Sequence, residues 1–119
     1  MSYGVSAYSK AKTTAELSPR ELEATLLMKG AAKLESVKRD WDVRKGMDDA
    51  LAYNRKLWTI LVTSATDPTN PLPRKAKEDF GKLGVFVLQS LISLAAEPKI
   101  EQVNRLIEIN ATVASGLRN

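Results

Sequence analysis

The sequence predicts an all-α fold, a compact bundle of about four helices behind a flexible N-terminal arm. Three observations carry this expectation. Apolar residues recur at helical spacing through four long segments. The first segment opens on a capping sequence, Ser18-Pro19-Arg20-Glu21. Prolines stand between later segments, where they cannot continue a helix. The arm is expected over residues 1–17 and the bundle over 18–119, one domain in all.

The arm reads MSYGVSAYSKAKTT at its start, small and polar with isolated Tyr3 and Tyr8. Such a segment is expected to order only against a partner or the domain surface. After it, the Ser18 hydroxyl can accept from the third amide of a helix, and Glu21 can reach back to the cap. Pro19 suits the first helical position, where its missing N–H would be unpaired anyway. This helix is expected to run to about Trp41. Its apolar stripe is Leu27, Gly30, Ala31, Leu34, Val37 and Trp41. Gly30 and Ala31 would let a neighbouring helix approach closely.

Asp42 to Gly46 reads as a turn. Asp48 and Asp49 then fall in the first turn of a second helix, where the helix dipole favours negative charge. Met47, Leu51, Asn54, Trp58, Leu61 and Ala65 form its stripe, widened by Leu57 and Ile60. Asp67-Pro68-Thr69-Asn70-Pro71-Leu72-Pro73 is a rigid connector, with Pro73 opening the next helix.

The third helix is expected from about Arg74 to Ala96. Leu83-Gly84-Val85-Phe86-Val87-Leu88 is apolar nearly all round, which places it at the centre of the fold or partly at an interface. Val85, Phe86 and Val87 would suit a strand, but the smooth continuation to Ala96 favours helix. Pro98 is expected at the first position of a last helix carrying Ile100, Val103, Ile107, Ala111, Ala114 and Leu117, with Gly116 as terminator. Short connections imply antiparallel neighbours, as in a four-helix bundle.

Composition narrows the function. The chain has no cysteine and no histidine, so thiolate and imidazole chemistry is absent and no cofactor is implied. Paired carboxylates occur only near helix starts (Asp48 and Asp49; Glu78 and Asp79), where the dipole accounts for them. No phosphate-cradling loop or nucleophile elbow is present. These features point away from an enzyme. The 18 basic residues outnumber the 14 acidic ones but are dispersed, which argues against nucleic acid as partner. No apolar leader opens the chain, and Leu83 to Ala96 is too short to span a bilayer, so a cytoplasmic protein that does not enter the membrane is expected.

Asn54, within a stripe, and Asn104 and Asn110, beside one, have two readings. They form a buried amide network that fixes helix register, or they face a groove and bond a partner's backbone. Trp41 and Trp58 are core anchors or groove linings. Tyr53 sits off the main stripe and is a candidate contact.

Asn54-Arg55-Lys56-Leu57-Trp58-Thr59-Ile60, with Ser18 to Ala24 before it and Asn70-Pro71-Leu72-Pro73 after it, resembles the FlaF family of flagellar biosynthesis regulators. The opening SYGVSAYSKAK and the closing Ile109 to Leu117 are similar to that family's ends, so the resemblance spans nearly the whole chain. It implies a protein that binds flagellin as a cytoplasmic secretion chaperone, promotes its synthesis and export, and is linked to a second flagellar regulator. An RNA-binding or structural regulator acting on flagellin mRNA translation without binding flagellin is the alternative. Flagellin's terminal segments are amphipathic and unfolded before assembly, and a helical domain can mask one in an apolar groove. The candidate contacts are Tyr53, Leu57 and Trp58 beside the second helix, and Val85 and Phe86 on the third.

Overall fold

In the computed structural model, which describes residues 17–119, four helices follow one another: α1 (Pro19–Arg39), α2 (Met47–Thr66), α3 (Arg74–Ala96) and α4 (Ile100–Arg118). No strand occurs among the described residues. Of the arm expected over residues 1–17, residues 1–16 lie outside them.

α1 begins where its local chemistry directs it. The Ser18 hydroxyl accepts from Glu21 N at 3.2 Å, and the Glu21 carboxylate accepts from Ser18 N at 3.3 Å, which completes the capping box. α1 stops at Arg39, and Trp41 falls in the turn after it. That turn reverses the chain through two residues of positive φ, Arg44 at 50° and Gly46 at 81°. The Arg44 guanidinium lies 5.6 Å from the Trp41 ring centroid and covers it.

The α2–α3 connector is held by its own side chains. Asp67 accepts from Thr69 N at 2.8 Å, Asn70 Oδ1 accepts from Leu72 N at 2.9 Å, and Asn70 Nδ2 donates to Ser64 O at 3.1 Å. The two bonds from Thr69 hold the Asp67 carboxyl below its usual range. Pro73 is the residue before α3 rather than its first, and Pro98 stands two residues before α4. There the Glu97 amide still bonds Ser93 O, and Lys99 O accepts from Gln102 N and Val103 N of α4.

The helices stand as a ring. α1 packs most closely on α4, α2 lies against both α3 and α1, and α3 and α4 meet only lightly. The α1–α2 and α3–α4 sides are therefore opposite faces. The core is Ala24, Leu27, Leu34 and Val37 of α1, Leu51, Trp58 and Leu61 of α2, Val87, Leu91 and Leu94 of α3, and Val103, Leu106 and Ala114 of α4.

The central placement expected for α3 does not hold. Gly84, Val87, Ser90, Leu91 and Leu94 go inside, while Val85, Phe86 and Ile92 are 54%, 40% and 65% exposed. The cause is one-sided packing. A Cβ on Gly84 would collide with Val62, so glycine sets how close α3 comes to α2, and no comparable contact draws α4 over its other flank. At 23 residues α3 is also long and apolar enough to cross a membrane by length and composition, unlike the shorter run from Leu83. Here its inner face closes the α2–α3 core.

Candidate partner-binding surfaces

Three arrangements bear on function, and the first is internal. Asn54 of α2 and Asn110 of α4 meet at the centre of the ring, each 1% exposed. Asn110 Nδ2 donates to Asn54 Oδ1 at 2.8 Å and to Leu27 O of α1 at 3.1 Å. Asn54 Nδ2 donates to Gly30 O at 3.2 Å and to Ala50 O at 2.8 Å. Asn110 Oδ1 accepts from Trp58 Nε1 at 2.9 Å. Every donor and acceptor of both amides is used, so the cluster costs no unpaired group. Gly30 admits it, because a Cβ there would collide with Asn54 Oδ1.

This cluster decides between the two readings of the asparagines. Asn54 and Asn110 fix the register of α1, α2 and α4, whereas Asn104 is exposed on α4. It also corrects the placement of Trp58, which is 0% exposed and has no surface to offer a partner. Its indole N–H is satisfied inside, and its ring stacks on Phe80 of α3 at 5.7 Å between centroids.

The second arrangement is the seam between α3 and α4. One side-chain hydrogen bond joins the two helices among the described residues, Gln102 Nε2 to Ser93 Oγ at 3.4 Å. Beyond it they part around a groove of about 400 Å³. Leu83, Ile109 and Val113 line it, and Arg105 and Glu108 stand at its rim. Phe86 lies one turn along α3 from Leu83, at a spacing that shares the seam face. Val85 is on the outward ridge of α3, and Ile92 lies toward the start of α2 with Asp48, Leu51 and Arg55.

The third is a smaller groove between α1 and α2, of about 290 Å³, lined by Leu26, Tyr53, Lys56, Leu57 and Ile60. The Tyr53 hydroxyl donates to Leu26 O at 3.2 Å, which pins the ring across both helices. Burial pushes that hydroxyl above its ordinary value of 10.0, partly offset by the nearby Lys33 charge. Leu57 forms the groove floor and is nearly buried, while Ile60 is 55% exposed.

The structure thus separates the five candidate contacts. Tyr53 and Leu57 line the α1–α2 groove, Trp58 is core, Val85 is on an exposed ridge, and Phe86, exposed, is on the α4-facing side of α3 by helical spacing but does not line the seam groove. Leu83, Ile109 and Val113 were missed as a set because they come from two helices whose separation no periodicity reveals. Ile109 and Val113 do carry a local signal, an apolar pair at i, i+4 beside the main α4 stripe.

Among the described residues no group of three or more acidic, cysteine or histidine side chains could hold a metal ion. What remains is a helical scaffold locked by an internal amide cluster and open along two apolar grooves. No curated protein and no solved structure matches the chain. A family model described as flagellar protein FlaF matches residues 5–117, nearly its whole length. With the capping sequence, the Asn54 segment and the proline connector all within that match, the chain belongs to the FlaF family of flagellar proteins.

Proposed function

We propose that this protein binds flagellin in the cytoplasm as a secretion chaperone and promotes its synthesis and export. The observation that supports this reading is the open α3–α4 seam, where Leu83, Ile109 and Val113 line a groove and Phe86 stands 40% exposed. A monomer that had sealed its apolar residues would have closed α4 over α3. An exposed apolar set of this kind marks a surface that another chain covers. An amphipathic segment of unassembled flagellin fits such a groove with its apolar face inward. It loses conformational entropy on ordering, which keeps the affinity moderate and the cargo releasable.

The test is a binding titration of the full chain against purified flagellin, with Phe86→Ser as the seam variant and Ile92→Ser as a control on the other flank of α3. Binding at micromolar concentration that Phe86→Ser weakens about tenfold (about 1.4 kcal/mol) and Ile92→Ser leaves unchanged supports the reading. Absence of a complex sinks the flagellin assignment. A complex indifferent to Phe86→Ser sinks the seam.

A further inference from the structure

The α1–α2 groove lies on the face opposite the seam and differs from it in charge. The seam carries one cation and one anion at its rim, Arg105 and Glu108. The α1–α2 groove is flanked by Lys29 and Lys33 on α1 and Lys56 on α2, against one carboxylate, Asp49. Asp49 is already taken, since Lys33 Nζ holds it at 2.7 Å. Among the described residues no carboxylate pairs with Lys29 or Lys56. Both are exposed, one on each bank of the groove.

Between these banks lies Tyr53, fixed by its hydroxyl to Leu26 O. Lys29 Nζ and Lys33 Nζ sit 5.8 and 5.3 Å from its ring centroid. Both ammonium groups thus lie near the Tyr53 ring, and of the two only Lys33 has a carboxylate partner, which leaves Lys29 for an incoming one. Along the same groove Ile60 is 55% exposed and Leu57 forms the floor.

We infer that the α1–α2 groove is a second docking surface, which takes an acidic amphipathic helix of a partner protein. Its apolar side chains would pack on Leu26, Tyr53, Leu57 and Ile60, and its carboxylates would meet Lys29 and Lys56. Charge complementarity selects this occupant over nearer ones. The chain's own residues 1–16 carry Lys10 and Lys12 against Glu16, and a second copy brings a net charge of +4, so both arrive with the wrong sign. The surface is separate from the seam, and its assignment does not depend on flagellin being the seam's client.

The probe is a pair of labelled synthetic helical peptides with one shared apolar face. One carries glutamates on its polar face and the other lysines. Their binding to the full chain is read by fluorescence anisotropy. The acidic peptide is expected to bind about tenfold more tightly than the basic one, with the difference shrinking as salt rises. Lys29→Glu with Lys56→Glu should abolish or invert the preference, and both positions are exposed and unpaired, so the fold is retained. Ile60→Ser should weaken both peptides, and Phe86→Ser should weaken neither. Equal binding of the two peptides overturns the inference. So does a preference untouched by the double charge reversal. An oligouridylate that binds through the same lysines where the acidic peptide does not would overturn it in favour of nucleic acid. Failure of flagellin binding in the seam assay leaves all of these outcomes readable.

Discussion

Trp58 Nε1 donates to Asn110 Oδ1 at 2.9 Å, joining the middle of α2 to α4 across 52 residues of sequence. Through Asn110 the indole is tied to Asn54 and to the Leu27 carbonyl. Replacing Asn110 by Ala leaves the Trp58 N–H, the Asn54 Oδ1 and the Leu27 carbonyl without this partner at once. A loss of about 2–4 kcal/mol is expected in denaturant unfolding, larger than for one surface hydrogen bond. Asn54→Ala and Asn110→Ala together should cost less than the sum of the single losses, since each single variant already breaks their shared bond. Strict additivity would show that the two amides act independently.

Two glycines should respond oppositely to alanine. At Gly30 an added Cβ would collide with Asn54 Oδ1 and lie 2.9 Å from Asn110 Nδ2, so Gly30→Ala disrupts the cluster. Its cost is expected at about 1–3 kcal/mol, outweighing the gain of about 1 kcal/mol in helix propensity. At Gly116 nothing lies within 4 Å of the added carbon, so Gly116→Ala should stabilise by a fraction of about 1 kcal/mol. Thermal melts of the pair give the sign directly.

Ser18 closes the start of α1 through its hydroxyl and its amide together. Ser18→Ala should cost about 1 kcal/mol, and Ser18→Asp should restore most of it. An unchanged melting temperature for Ser18→Ala would mean that the first turn of α1 frays without penalty.

Glu23 gives the fold a pH dependence of known sign. It lines a pocket with Leu61, Phe80 and Leu117, and burial raises its carboxyl above the ordinary 4.5, partly countered by Arg20. A carboxyl whose folded value lies above its unfolded one binds its proton more tightly when folded. Its contribution to stability is therefore full below 4.5 and lost as pH rises through the raised value. Glu23→Gln should melt at a higher temperature than the parent near neutrality, with the gap closing in acid. A gap of constant size at every pH would remove the burial explanation.

Several features were legible in the sequence because they are local. The Ser18 capping box and the turn-forming Asp67–Pro73 connector depend on residues a few positions apart and appear as expected, and most of the stripe residues named for α1 and α2 are buried, apart from Trp41 beyond the end of α1 and the exposed Ile60. Asn54 and Asn110 were visible as polar residues within or beside apolar stripes. That they meet each other was not, because it depends on how α2 and α4 face across the ring. Trp58 shows the same limit. Its place on the α2 stripe says it faces a neighbour, and only the partner from α4 makes it core rather than groove.

By itself the sequence determined the number of helices, the cap of α1, the proline breaks between segments and most of the apolar sides of α1 and α2, since backbone geometry and 3.6-residue periodicity are set by near neighbours. The tertiary structure alone decided which apolar sides meet. Gly84 brings α3 close to α2, the amide cluster ties α4 to α1 and α2, and α3 and α4 are left apart. An apolar stripe records a demand for burial without naming what supplies it. Along α3, Phe86 is left 40% exposed because α4 does not close over it.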